Sequence, residues 1–549
     1  MKKSMHFVRT FIGVLSGTLL SILLVSASPE SICPVPTAYS IRSQGQDESR
    51  EQAGLTGHTN IPSNHTQYGT FALTPVLNRS FSPGHIAVPL FGRDLQTGSL
   101  IGISGSKATT RNPKDWLADY FFFPQTFSGA VSFEPRIQSL LVDFDFFLGM
   151  DAWVSGLFFR LQSPIVWTKW DIDPCPNNTA FSIEDFFETF ADLSRNGSIA
   201  TAFFDHFCLE QVPTTTAFVI QPLRAAKLCG DCGQTKSGFA DVHADLGWNF
   251  LMDDDYHLGV FARLVAPTGN RPEGKIFFEP IIGNGHRVEI GGGITSHLTL
   301  WRSQELARSH LDLFVHADIT HMCKTHGTYV FDLCNKPFSR YMLAGKITAP
   351  HTISTLAPVA NITRSTVTVS QTTQADIVAM LTVAADFFDW SLGYNFWATG
   401  CQKITPQSAC CPQPCTTSGI HQEPWALVTL KKSGATYIAL NNLGDIHQII
   451  PDTEETPLIP LTTKDIDYGA TDQRGLSNKL FTHLNFSWYD HERWIPYIGV
   501  GAEVEFGKRD TCGTKGNRCY VSTGCTSNCA CRPLALYQWG VWAKGGISF

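Results

Sequence analysis

The sequence predicts an all-β fold, a transmembrane antiparallel β-barrel of about 14 strands within a range of roughly 12 to 16. Three observations lead there. Segments of about 10 to 14 residues alternate apolar and polar side chains, whereas an ordinary globular strand has about 5 or 6 residues. Tight joints between these segments alternate with long inserts. The chain also opens on an export signal and closes on an alternating segment whose last residue is Phe549.

Composition narrows the alternatives. The 549 residues are 43% hydrophobic and 12% aromatic but only 16% charged, against about a quarter charged in an average soluble protein. Mean hydropathy is −0.04. The 38 Phe exclude disorder for most of the chain. A formal charge of −7 excludes a strongly cationic nucleic-acid binder.

At the start, Lys2, Lys3 and Arg9 accompany an apolar stretch from Phe11 to Val25, and Val25-Ser26-Ala27 supplies small residues for cleavage after Ala27. An apolar run of about 15 residues is shorter than the ~20 of a spanning helix, so residues 1–27 read as a signal peptide. Its removal takes away three cations and moves the charge from −7 to −10. Residues 28–80 are polar, with Gly, Ser, Asn and Gln, and read as a flexible periplasmic segment or partial plug; residues 81–549 form the barrel.

The strands follow in order. Leu140, Val142, Phe144, Phe146 and Leu148 oppose Asp143 and Asp145, and Leu157, Phe159 and Leu161 oppose Arg160 and Gln162. From Ala240 to Phe250 one face is apolar while the other carries Asp241, His243 and Asp245; after a polar turn, Leu258 to Ala266 alternate with His257, Gly259 and Arg263 to complete a hairpin. The unit recurs with Ile290 and Ile294 opposing Glu289, and with Leu311 to Ile319 opposing His316 and Asp318. Later segments centre on Leu392, on Phe486 and on Val500, the last opposing Glu503 and Glu505. Because 149–153 is a short turn on the periplasmic side, an upward strand must precede it within 81–135. Segments near 339–347 and 377–387 both run downward, so the chain recrosses between them: either Ser365 to Thr373 is an extra upward strand or 350–374 threads back through the lumen, and the strand reading, which is preferred, gives an even total of about 14.

Tight joints at 149–153, 251–256, 386–390 and 489–494 alternate with inserts, and the external loops are assigned to 171–236, 322–337, 400–476 and 507–533. Between Ser182 and Leu193 the spacing of Ile183, Phe186, Phe187, Phe190 and Leu193 is helical, with Ser182 and Asp185 at capping-box positions, which predicts a short loop helix. All 16 cysteines lie beyond Ala27. Apart from Cys33 they cluster in the loops: Cys175, Cys208, Cys229 and Cys232; Cys323 and Cys334; Cys401, Cys410, Cys411 and Cys415; Cys512, Cys519, Cys525, Cys529 and Cys531. In an exported chain these are disulfide candidates before they are zinc or redox motifs.

The chain end carries a family likeness. Tyr537, Trp539, Val541, Ala543, Gly545, Ile547 and Phe549 alternate with Gln538, Lys544 and Ser548. With the signal peptide, this resembles the bacterial outer-membrane β-barrels over roughly residues 128–549. The resemblance implies that Tyr537, Trp539, Val541, Ile547 and Phe549 form the signal read by the barrel-assembly machinery. It also implies outer-membrane lipid and small solutes as partners, and is compatible with a homo-oligomer. The cysteine-bearing loops look most like the major outer-membrane porins of chlamydia-like bacteria. Pro267-Thr268-Gly269-Asn270 and Gly291-Gly292-Gly293 resemble segments of fatty-acid channel barrels.

A barrel of this size encloses an aqueous lumen unless something fills it. The expected function is a porin-like channel for passive diffusion of ions and small solutes, without cofactor or metal. Its candidate lining residues are Asp143, Asp145, Arg160, Asp241, His243, Asp245, Arg263, Glu289, His316, Asp318, Glu503 and Glu505, whose acidic excess predicts cation preference. One alternative is a structural or adhesive surface protein stiffened by disulfides. Another is a plugged barrel transporting hydrophobic solutes, which requires an apolar patch inside. An enzyme is not expected: His and Asp alternate on strands, but no Gly-x-Ser-x-Gly, His-Glu-x-x-His or phosphate loop occurs.

Overall fold

The computed structural model describes residues 42–549 except 45–46, 63–66, 92–99, 122–124, 173, 179–217, 229–232, 304–308, 351, 401, 407–422, 434–435, 450–456, 469–472, 490–493 and 508–531. Twelve long strands form one closed antiparallel ring: β1 (Tyr68–Ser80), β2 (Arg136–Gly149), β3 (Leu157–Asp171), β4 (Val242–Asp253), β5 (Tyr256–Ala266), β6 (Glu289–Arg302), β7 (His310–Met322), β8 (Thr373–Ala385), β9 (Phe388–Thr399), β10 (Gln473–Ser487), β11 (Ile495–Phe506) and β12 (Gln538–Ser548). Each pairs with its neighbours in chain order, and β1 pairs with β12 to close the ring, Thr70 opposite Ser548 and Ser80 opposite Gln538. One further strand, Gln234–Phe239, pairs with the upper part of β3 outside this ring.

Period-two alternation becomes a two-faced wall. Leu246, Trp248, Val260, Leu264, Ile319, Leu381, Leu392 and Val500 point outward and are exposed, while Asp245, Arg263, Asp318, Ser391, Lys479 and Lys544 point inward and are buried. An apolar exterior around a closed sheet is the surface of a barrel standing in lipid, where every backbone polar group must be paired within the ring. No helix among the described residues is long and apolar enough to cross a membrane. The crossing is made by strands.

Several expectations are corrected. The strand count is 12, because Ser365–Gln371 does not cross; it pairs with Thr325–Tyr329 and Gln402–Pro406 in a small sheet above the ring. Leu343–Ala349, read as a downward strand, also lies outside the ring, paired with Thr352–Pro358 and Trp425–Ser433. Both are apolar and β-branched, but their apolar side chains are covered by other loops instead of lipid. The missing upward strand is β1, so the boundary at residue 80 falls at the end of a wall strand instead of before the barrel. The described residues of 81–135 hold no barrel strand; they contribute the helix Pro83–Phe91 and the strands Leu100–Ser104 and Ser128–Phe133. The upper connections are accordingly 81–135, 172–241, 267–288, 323–372, 400–472 and 507–537, more numerous than the four assigned loops. The signal peptide and the Ser182–Leu193 helix lie outside the described residues.

These connections build a cap with a core of its own. Ile86, Phe91, Trp116, Phe121, Phe133, Phe277, Phe331, Tyr341, Leu356, Val428 and Ile446 belong to one continuous buried cluster. Within it Asp332 accepts hydrogen bonds from the Arg340 guanidinium at 2.6 and 3.0 Å and from the Phe338 and Arg340 amides. At the opposite end, β4 and β5 are joined by only Asp254 and Asp255, and β8 and β9 by Asp386 and Phe387.

Candidate functional site

The lumen is occupied by the chain's own N-terminal segment. Residues 47–52 carry four charges in six positions, Asp47, Glu48, Arg50 and Glu51, a density that only partners inside the barrel can compensate once water is excluded. They form a short helix, α1 (Glu48–Gln52), with Asp47 as N-cap accepting from the Arg50 amide. After Ala53 the chain turns at Gly54, whose φ of +76° suits glycine; a Cβ there would also lie 2.4 Å from His483 Nε2.

Asp47, Glu48 and Arg50 of the plug meet charged groups of the wall. Arg50 donates to Asp143 at 3.0 Å and approaches Glu503 at 3.4 Å, besides pairing with Asp47. Lys479 binds Asp47 and, at 3.1 Å, Glu503. Ser49 donates to Glu503 at 3.2 Å. Glu48 pairs with Arg263, which also holds Asp245 through two hydrogen bonds of 2.7 and 2.8 Å. Arg160 donates to the Glu51 carbonyl at 2.9 Å, and Lys544 to the carbonyls of Arg50 and Ala53 at 2.5 and 2.8 Å. Above this layer Arg42 pairs with Asp376, and Ser43 donates to Asp241. Below it His58 contacts Ser548 and Ser487 at 2.8 and 3.1 Å, and Asn249 donates to Asn60 at 2.9 Å.

All twelve candidate lining residues are buried and inward-facing, and most meet plug or wall groups instead of open water. Asp145 accepts from Gln162 at 2.9 Å and lies 3.5 Å from Arg160. Asp241 accepts from Ser43 and from the Asn284 amide, and burial raises its carboxyl to about 7 against the lowering effect of the Ser43 hydrogen bond. Glu289 accepts from Asn284 and Thr320, and Glu505 from the Leu536 amide. His316 faces Glu48 at 3.3 Å and Asp318 faces Arg263 at 3.2 Å. Neither ring nitrogen of His243 has a hydrogen-bond partner.

The interior is not uniformly polar. Toward the short-turn end, Tyr68, Phe147, Phe158 and Phe261 form an inward aromatic cluster with Ile61 against it, and a small cavity there is also lined by Asn60, Thr295 and His316. Val76, Leu141, Val166, Val378, Met380, Phe481 and Trp542 are buried apolar groups on inward wall positions. On α1, Glu48 and Ser49 are both 0% exposed.

The sequence offers residues 28–80 as a flexible segment or partial plug without singling out the residues that seat it, Arg42, Asp47, Glu48, Arg50 and Glu51, although four charges in six residues of an otherwise polar stretch are a signal. Lys479, Lys544 and Asp376, inward members of alternating strands, were also left off the candidate set. Of the residues expected to form an assembly signal, Trp539, Val541, Ile547 and Phe549 face outward from β12 or its end, and Tyr537 precedes the strand. Among the described cysteines, Cys323 carries a free thiol while Cys334 is disulfide-bonded, so these two neighbours in sequence are not a pair. For Cys175 only the backbone is described, and the other disulfide candidates lie outside the described residues.

No family model matches the chain, and no curated protein does. Among solved structures it is similar to an outer-membrane channel from Pseudomonas putida F1 (7% identity, 89% of this chain and 98% of the other, TM-score 0.33). It is also similar to a Pseudomonas aeruginosa FadL homologue (9%, 94% and 99%, TM-score 0.32) and to the Pseudomonas putida toluene transporter TodX (10%, 96% and 98%, TM-score 0.21). None of these three is a porin of chlamydia-like bacteria. At such scores the ground for reading this chain is its own barrel and plug.

Proposed function

We propose that this chain stands in a bacterial outer membrane as a plugged channel that passes a small, largely apolar solute when the plug shifts, and not as a permanently open diffusion pore. The observation that carries this reading is the seating of residues 42–44 and 47–60 inside the ring through buried ion pairs. A general porin needs a standing water column, and here side chains take that space. The aromatic cluster of Tyr68, Phe147, Phe158 and Phe261 supplies the apolar interior patch that a hydrophobic-solute channel requires. The ion-pair layer above it gives a barrier that keeps ions from leaking through. Polar inward faces, which favoured an aqueous pore when read alone, serve instead to hold the plug.

The test is paired. In a planar bilayer the full-length protein should show no steady open state, and deletion of residues 42–60 should produce discrete conductance. In liposomes the intact protein should speed entry of a small aromatic hydrocarbon over a sugar of similar size. A stable ohmic current from the intact protein restores the open-porin reading. No current from the deletion variant and no uptake would favour the structural surface role.

A further inference from the structure

We propose that Glu48 of the plug, together with His316 and Asp318 of β7, binds a divalent transition-metal ion that latches the plug to the wall. Each residue presents one ligand atom, and the three atoms lie within 4.8 Å of one another. His316 and Asp318 sit two apart on one strand, so both project inward from the same face. Glu48 arrives from the opposite side on α1, its carboxylate 3.3 Å from His316 Nε2.

A second observation points to a ligand. Neither ring nitrogen of His316 and neither carboxylate oxygen of Asp318 has a hydrogen-bond partner, although the residues are only 7% and 1% exposed. Buried polar atoms are normally paired, and a set of them facing one point calls for an occupant. Charge agrees. Glu48, Asp245 and Asp318 converge on the single guanidinium of Arg263, which spends two hydrogen bonds on Asp245. The local sum is negative, and a dipositive ion compensates it where water cannot.

The surrounding chain is shaped for this meeting. Arg263 on β5 pairs with Gly291 of β6, and Gly293 of β6 pairs with Asp318 of β7. With no side chains at Gly291 and Gly293, the guanidinium reaches across the intervening strand to within 3.2 Å of Asp318; a Cβ at Gly293 would lie 2.6 Å from the Phe261 ring. Arg263 thereby orients the carboxylates from outside the ligand set, the task of groups that hold metal ligands in place. Phe261 stacks on the His316 ring with centroids 4.8 Å apart and fixes its plane. One imidazole and two carboxylates suit Zn²⁺, Mn²⁺ or Fe²⁺ better than Ca²⁺, which takes oxygen ligands throughout.

The experiment reads binding and is independent of solute flux. Full-length protein in detergent, stripped with a chelator, is titrated with Zn²⁺ and Mn²⁺ by calorimetry and melted by circular dichroism with and without the ion. One ion per chain and a raised melting temperature are expected. Glu48→Gln, His316→Ala and Asp318→Asn should each weaken binding by at least about tenfold, since even outer groups around a metal commonly cost that much. His310→Ala, at the far end of the same strand, should leave it unchanged. Heat-modifiable electrophoretic migration confirms that each variant is a folded barrel, and His316→Gln provides a second probe if the alanine variant is not. X-ray absorption of the Zn²⁺ complex should show a nitrogen and oxygen shell. Absence of saturable binding, unmutated affinity in all three ligand variants, or a sulfur shell from cysteine overturns the site.

Discussion

The cap and the plug are both shielded from water, yet the cap is closed by Phe91, Trp116, Phe331 and Leu356 and the plug by Arg50, Asp47, Glu48 and Lys479. Apolar burial is non-directional and tolerates loops of varied shape, which suits a layer assembled from six long connections. Buried ion pairs are directional and gain little net stability over apolar packing, but they are costly to break one-sidedly. A segment held that way has one seat in the lumen and a sharp penalty for partial release, which is what a barrier needs.

The largest effect that would break this contrast is in the plug. Arg263→Ala leaves Glu48, Asp245 and Asp318 without their shared cation and should cost about 3–5 kcal/mol. The consequence is read as protease access to residues 42–60 and as leak conductance in a bilayer. If the plug stays protected and the bilayer silent, ion pairs do not hold it. In the cap, Leu356→Ala should cost about 2–5 kcal/mol through cavity formation, read as faster hydrogen exchange over Leu343–Pro358 with conductance unchanged. A leak from this variant would show that cap and plug are one cooperative unit.

On the wall, Val260→Arg places a charge on the outward face of β5 and should cost about 2–4 kcal/mol at mid-bilayer depth. Reversible unfolding into lipid vesicles measures it, and a neutral result would place that face against protein. The smallest effect is at the surface: Lys346 and Glu423 pair at 2.5 Å but both side chains are about a third or more exposed. Lys346→Ala should change stability by roughly 1 kcal/mol or less, and less still in high salt.

Alternation along β2, β4, β5, β7 and β11 was legible because a wall between lipid and lumen demands it residue by residue. Legibility failed where the same chemistry serves another neighbour. Ser365–Gln371 alternates as a wall strand does, with Val367 and Val369 buried, but against the cap core. β1 escaped notice because Thr70, Thr74, Asn78 and Ser80 face the lumen while Pro75 and Arg79 interrupt the outer apolar face, so the segment resembled a polar leader. The charged inward positions were visible from period two. Their partners were not, because Arg50 and Asp143 are 93 residues apart and only ring closure around the plug brings them together.

The seam between β1 and β12 ties these parts to the length of the chain. Gly69 and Phe549 exchange two backbone hydrogen bonds of 2.9 Å, and Lys544, the ammonium that grips α1 by its carbonyls, sits on that same last strand. A polypeptide lacking β12 is therefore not a smaller, leakier barrel. It is an open sheet with two bare edges, prone to edge-to-edge aggregation, and its plug lacks the Lys544 grip on α1.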